Sequence, residues 1–183
     1  RDGQRLTAIA NHLIAHFASH PKELGNYRLV IVPCANPDGA IAGKNAQRSG
    51  KNAFGRCTAA HIDINRDFGP FKGKETRALR DFILRSKPNV YINAHGWLNE
   101  TLGTKKLCQI VNRTLHLNKM KDGVYAANEG YAIGWVHKKL NIPCCLLEYK
   151  APNALHTKDN VRMIREIIKA VSYTHLTLPT NRE

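Results

Sequence analysis

Apolar residues recur along the chain with two alternating periods. Leu6, Ile9, Leu13, Ile14 and Phe17 fall on one face of a 3.6-residue repeat, which predicts a helix ending near Ser19-His20-Pro21. RLVIVP (28–33) is a short β-branched run of the kind that forms a buried parallel strand. ANPDGAIAG (35–43) follows as a turn punctuated by Asn-Pro and Asp-Gly. HIDIN (61–65) predicts a short strand or bridge, and Thr76 to Leu84, with Leu79, Phe82 and Ile83 on one face, predicts a helix. NVYINAHG (89–96), bounded by Pro88 and Gly96, reads as a strand, GYAIGWVHKKL (130–140) as a helix and IPCCLLEY (142–149) as a further strand. Val161 to Val171 closes the pattern with an amphipathic helix.

Strands separated by helices imply an α/β fold: an open, mostly parallel or mixed sheet with helices on both faces, an α/β/α sandwich. In such sheets ligands gather beyond the carboxyl ends of the strands. The polar residues that follow each predicted strand are Asn36 to Asp38, Asn65-Arg66, His95 and Glu148, and all four groups are expected to converge on one edge. Asn65-Arg66 poses a particular question. A guanidinium at the end of a buried strand is costly unless an anion meets it, so Asp63, Asp67 or a substrate anion must be its partner.

The 183 residues are the size of one domain, assigned here to residues 1–171. SYTHLTLPTNRE resembles a translated sequencing adaptor, so residues 172–183 are set aside as a non-native tail, His175 included. The chain opens at Arg1, already inside a helical pattern, and reads as a piece truncated at its N-terminus, so a signal peptide cannot be judged. No apolar run approaches the roughly 18–20 residues that cross a bilayer. The formal net charge of +14 suits an anionic partner, but Lys and Arg are spread along the whole chain and no nucleic-acid-binding motif occurs. No specific nucleic acid or membrane partner is therefore expected, and the oligomeric state is open. Five cysteines without C-x-x-C spacing argue against a thiolate zinc site, and free thiols fit a reducing, cytoplasmic setting.

The four strand-end groups, in order, resemble those of the zinc carboxypeptidase family. NPDG (36–39), DINRDF (63–68), INAHGW (92–97) and LLEY (146–149) carry the resemblance, which runs from about Leu6 to Pro152. It implies hydrolysis of the C-terminal peptide bond of a peptide substrate with a free carboxylate, by a water activated on Zn2+. His95 then corresponds to the third zinc ligand and Glu148 to the glutamate general base. Asn65 and Arg66 correspond to the pair that grips the terminal carboxylate, and a planar guanidinium can meet both of its oxygens at once. Asp63 corresponds to the carboxylate that orients a zinc-bound imidazole, with an ion pair to Arg66 as its alternative. Arg56, or else Arg48, corresponds to the oxyanion stabiliser. Tyr125, with one insertion, or else Tyr131, corresponds to the capping tyrosine, and Ile133 falls at the base of the specificity pocket, which suggests an uncharged substrate side chain.

The family's first two zinc ligands, a His-x-x-Glu ahead of the first matched helix, are missing. His20-Pro21-Lys22-Glu23 has those letters but follows that helix, and it is read as chance. With one ligand of three, the fragment is expected to bind zinc poorly and to be inactive alone. Other readings are a cell-wall peptide amidase or an aspartoacylase-like deacylase on the same fold, a pseudoenzyme, and a basic protein that binds nucleic acid or an anionic polymer.

Overall fold

The structure is a computed structural model that describes residues 2–48, 55–96, 98–122, 130–150 and 157–173. Helix α1 (Asp2–Ser19) leads through a 3₁₀ turn at Pro21–Leu24 to an extended stretch and α2 (Pro37–Arg48). A 3₁₀ turn at Ile64–Arg66 precedes α3 (Lys74–Ser86), β1 (Tyr91–Gly96), β2 (Glu100–Gly103), α4 (Lys105–Leu115) and β3 (Lys119–Asp122). Then come α5 (Ala132–Leu140), β4 (Cys144–Tyr149) and α6 (Thr157–Ser172).

The four strands lie in the order β1-β4-β2-β3, with β1 parallel to β4, β2 antiparallel to β4, and β3 parallel to β2. The sheet is thus mixed and open, with helices on both faces, as the sequence predicts. Strand β4 shows why both faces are covered. Every residue from Cys144 to Leu147 is buried, and alternate side chains enter different cores. Cys145, Leu147 and Tyr149 join Ile9, Leu13 and Phe17 of α1, Leu107 and Val111 of α4, and Ile164 and Ile167 of α6. Cys144 and Leu146 join Ile83 of α3, Ile133 and Val136 of α5, and Phe68.

Local signals set the helix ends. Asn36 accepts the Gly39 N–H on its side-chain oxygen at 2.9 Å, and Pro37, which has no N–H to lose, opens α2. Helices α3, α4 and α5 each end on a residue in the left-handed region, Lys87, His116 and Asn141. Asn tolerates that conformation best, and Pro88 directly after Lys87 prevents α3 from continuing.

Three sequence-based expectations are corrected. Residues 28–33 are extended but belong to none of the strands, and burial alternates along them with Leu29 and Ile31 turned to the core and Val30 and Val32 about 40% exposed. A β-branched run favours extended backbone, but a strand also needs a neighbouring ladder. HIDIN holds a 3₁₀ turn instead of a strand, because the Asp63 side chain accepts the Asn65 N–H at 3.0 Å and closes the backbone locally. The NPDG stretch begins a helix and not a turn, because Asn36 caps the first turn and Pro37 presets its backbone.

Candidate active site

The sheet positions the candidate residues in rows. Across β1, β4 and β2, His95 stands opposite Glu148, and Glu148 stands opposite Glu100. Partners in register point to the same face, here the α5 face, because Leu146 and Leu102 two residues along both pack into the core under α5. His95 and Glu148 sit at the carboxyl ends of their parallel strands, at the edge where such sheets place their ligands. His95 Nε2 and Glu148 Oε2 are both shielded from solvent.

Glu100 was not singled out in the sequence, although it follows the INAHGW motif closely. Its residue is buried, and its carboxylate accepts a hydrogen bond from Lys121 Nζ at 2.8 Å. Two carboxylates side by side on one sheet face repel, and the ammonium offsets part of that repulsion. Lys121 comes from β3, so the outer strand serves to bring a cation to this row.

One network links the remaining groups. Asn36 Nδ2 donates to the Gly55 and Arg56 carbonyls at 3.3 and 3.1 Å, so the NPDG loop holds the backbone of Arg56. Gly39 has no room for a side chain there: a Cβ would lie 2.1 Å from the Gly55 oxygen. Arg56 Nε donates to Asp63 Oδ2 at 2.7 Å, and that hydrogen bond raises the arginine pKa further above its ordinary value. Asp63 also accepts the Asn65 N–H through its other oxygen. The partner of Asp63 is therefore Arg56, not Arg66.

Asn65 reaches two elements at once. Its Oδ1 accepts from Asn93 Nδ2 of β1 at 3.5 Å and from the Ala132 N–H at 3.2 Å. The second bond satisfies an otherwise free donor in the first turn of α5. Arg66 donates to the Asn65 carbonyl at 2.8 Å, and its guanidinium lies 4.2 Å from the centre of the Tyr131 ring. Arg66 is exposed, and no described carboxylate is within ion-pair distance of it. The opening cost of a buried guanidinium does not arise. Neither Asp63 nor Asp67 neutralises it.

Asp67 has a different task. It is 4% exposed and accepts the Lys72 and Gly73 N–H groups at 3.0 and 2.8 Å, fixing the loop that leads into α3. Burial pushes its pKa up, but those two hydrogen bonds, together with Thr76 and the Lys72 charge, outweigh it and lower the carboxyl pKa. Gly130 supplies the matching close approach on the other side. Its φ is +110°, and an added Cβ would lie 2.7 Å from the Arg66 carbonyl oxygen. The Gly130 carbonyl accepts the Phe68 N–H at 3.1 Å, so the backbone on either side of Arg66 is pinned.

The structure therefore brings His95, Glu148, Asn65, Arg66, Asp63 and Arg56 into one connected region, with Tyr131 under the Arg66 guanidinium. Ile133 is fully buried among Phe68, Ile83 and Val136, inside the core beneath this face. Tyr125 lies outside the described residues, as does Trp97 of the INAHGW motif, and so does the side chain of Arg48.

Zinc sites in hydrolases use three protein ligands and an open position. Among the described residues no cluster of three or more His, Cys, Asp or Glu side chains has the arrangement to hold a metal ion. His95 is an apt imidazole donor at the strand end, but the donor set around it is incomplete. The described residues alone do not make a zinc site.

Comparison with known proteins identifies the family. The profile of the family described as "Zinc carboxypeptidase" matches residues 4–102, more than half of the chain. The chain belongs to the zinc carboxypeptidase family. It is 30% identical over 194 residues to bacteriocin BCN5 of Clostridium perfringens, an alignment covering 93% of this chain and 21% of that protein. Among solved structures it resembles the murein-tripeptide amidase MpaA of Escherichia coli O157, with a TM-score of 0.52 and 19% identity over 75% of this chain and 66% of that one. It also resembles a metallo-carboxypeptidase from Burkholderia cenocepacia, with a TM-score of 0.55 and 14% identity over 79% of this chain and 44% of that one. At those identities the two structures speak for the fold. The chain spans about a fifth of the bacteriocin's length.

Proposed function

We propose that this chain carries the general-base and carboxylate-binding part of a zinc-dependent hydrolase that cleaves an amide bond beside a free carboxylate of a peptide. The observation that supports this best is the His95–Glu148 pairing at the strand ends, tied through Asn93 and Asn65 to Arg66. In this reading Arg66 takes the substrate carboxylate as a charge-assisted pair, and the Tyr131 ring beneath keeps the guanidinium flat and oriented. Asn65 offers its amide N–H groups to the same carboxylate while its oxygen remains on α5. Glu148 takes a proton from the attacking water and returns it to the leaving amine. Arg56, once drawn from Asp63, stabilises negative charge on the carbonyl oxygen, and Tyr125 or else Tyr131 is the candidate capping tyrosine.

Zinc, when bound by a complete ligand set that includes His95, would polarise the water and the scissile carbonyl. The described residues do not complete that set. Asp63 could orient a histidine of that set only by giving up Arg56.

A second substrate reading has its own support. The murein-tripeptide amidase likeness and the +14 charge both suit a short cell-wall peptide carried on an anionic polymer. The test compares a plain peptide with a murein peptide, using the longest natural form of the chain loaded with zinc. Chelator-sensitive release of a C-terminal amino acid from the first supports the carboxypeptidase reading. Cleavage of the second alone supports the amidase. No hydrolysis of either, with zinc bound, would sink both.

A further inference from the structure

Cys108 and Cys145 are 37 residues apart in sequence, yet their sulfur atoms lie 3.8 Å apart in the core between α4 and β4. Both residues are fully buried. Cys34 is exposed and Cys57 half-buried. Cys144, adjacent in sequence, points to the opposite face of β4, where its thiol meets the Ile142 carbonyl at 3.3 Å. Strand alternation thus separates the neighbouring thiols and pairs the distant ones.

We propose that Cys108 and Cys145 are a latent structural disulfide, formed when the chain folds in the presence of a disulfide oxidant and cross-linking α4 to the central strand. The atoms balance as thiol–disulfide exchange. One protein thiol loses its proton and attacks a low-molecular-weight or oxidoreductase disulfide, releasing one oxidant thiolate and leaving a mixed disulfide. The second protein thiol, deprotonated in turn, attacks the protein-side sulfur of that bond. It forms the Cys108–Cys145 bond and expels the second oxidant thiolate. Two protons and two electrons leave the protein, and the oxidant is reduced to two thiols. Closing the pair to a bond of about 2.05 Å requires the sulfurs to approach by less than one sulfur diameter.

Burial decides when this happens. In the folded chain no oxidant reaches either sulfur, and the hydrogen bond to Cys108 together with desolvation holds the Cys145 thiol well above its usual pKa. The exchange belongs to the stage at which α4 has met β4 but the core is still open. Once closed, the same burial protects the bond from reductants. With such a bond available, the two thiols do not by themselves mark a reducing compartment.

The experiment is oxidative refolding of the full chain. It is unfolded and reduced, then refolded either with a reduced and oxidised glutathione mixture or with reductant alone. Thiols are then titrated in denaturant, and non-reduced peptides are mapped. The expected result is two fewer titratable thiols in the glutathione sample, a cross-linked peptide joining Cys108 to Cys145, and a thermal midpoint higher by roughly 5–15 °C. Cys108→Ala and Cys145→Ala should each abolish the cross-link and that rise. All five thiols titrating after oxidative refolding, or pairing through Cys34, Cys57 or Cys144 instead, overturns the proposal. The mapping of the unaltered chain decides this even where neither variant folds.

Discussion

His95 on β1 and Glu148 on β4 stand directly opposite one another in a parallel ladder, on the face of the sheet that α5 covers. The pairing puts an imidazole and a carboxylate on adjacent strand ends with no loop between them. Their separation is fixed by the spacing of two hydrogen-bonded strands, among the most rigid distances a fold offers.

Glu148→Gln tests the base. The amide keeps the shape and loses the ability to accept a proton. In the zinc-loaded, hydrolytically competent form of the protein, kcat should fall about 10²–10⁴-fold, with substrate binding retained. The unfolding midpoint should barely move. Turnover that survives this change would remove Glu148 from the role.

Arg66→Ala tests the carboxylate grip. KM for a peptide ending in a free carboxylate should rise about 10–100-fold, while a peptide amidated at that end, already a poor substrate, should change little. Lysine at this position should restore only part of the affinity, since an ammonium neither forks onto both oxygens nor lies flat on Tyr131. Equal losses on both peptides would show that Arg66 acts through structure instead.

Acid stability follows from Asp67. Its folded-state pKa is depressed below the unfolded value by the N–H groups of Gly73 and Lys72, working against burial. A depressed carboxyl contributes stability that is fully present above its unfolded pKa, about 3.9, and is lost as pH falls through the lower folded value. Asp67→Asn turns one acceptor into a donor facing an N–H, and should cost roughly 1–3 kcal/mol at neutral pH. The gap between the two proteins should narrow below about pH 4. Parallel unfolding curves from neutral to acid pH would contradict this.

Gly130→Ala should destabilise the protein by roughly 2–4 kcal/mol, because strain at positive φ adds to the clash with the Arg66 carbonyl. Gly69 offers the control. Its φ is +132° but nothing lies within 4 Å of the added carbon, so Gly69→Ala measures the strain alone. Denaturant unfolding of both gives the contact term by difference. A Gly130 variant no worse than the Gly69 variant would show that the approach to Arg66 has slack.

Much of this was legible in the residues, for reasons that can be named. Helices α1, α3, α5 and α6 declare themselves through apolar spacing, and β1 and β4 through apolar runs bounded by Pro and Gly. The α2 helix was legible but misread: Asn36 as cap, Pro37 next and Asp38 in the first turn are a helix start, yet Asp-Gly suggested a turn. Helix α4 was not predicted, although Leu107, Cys108, Val111, Thr114 and Leu115 recur at helical spacing and form its buried stripe. Strands β2 and β3, ETLG and KMKD, are too short and too charged to announce themselves, and their order depends on β4. The same applies to the site. His95, Glu148, Asn65 and Arg66 follow from motifs. Glu100, Asn93 and the Arg56–Asp63 pair come from strand register and loop closure, which spacing alone does not encode.

Strand β4 has a consequence for how this sequence can vary. Its odd-numbered side chains hold the α1, α4 and α6 layer, and its even-numbered ones end in Glu148. A single residue gained or lost between Cys144 and Leu147 would turn the glutamate into the oily interior and swing Tyr149 out to the cleft. Point substitutions in this strand can be absorbed one at a time. A length change there trades fold and chemistry together, so this six-residue segment behaves as a ruler whose units evolution can recolour but not recount.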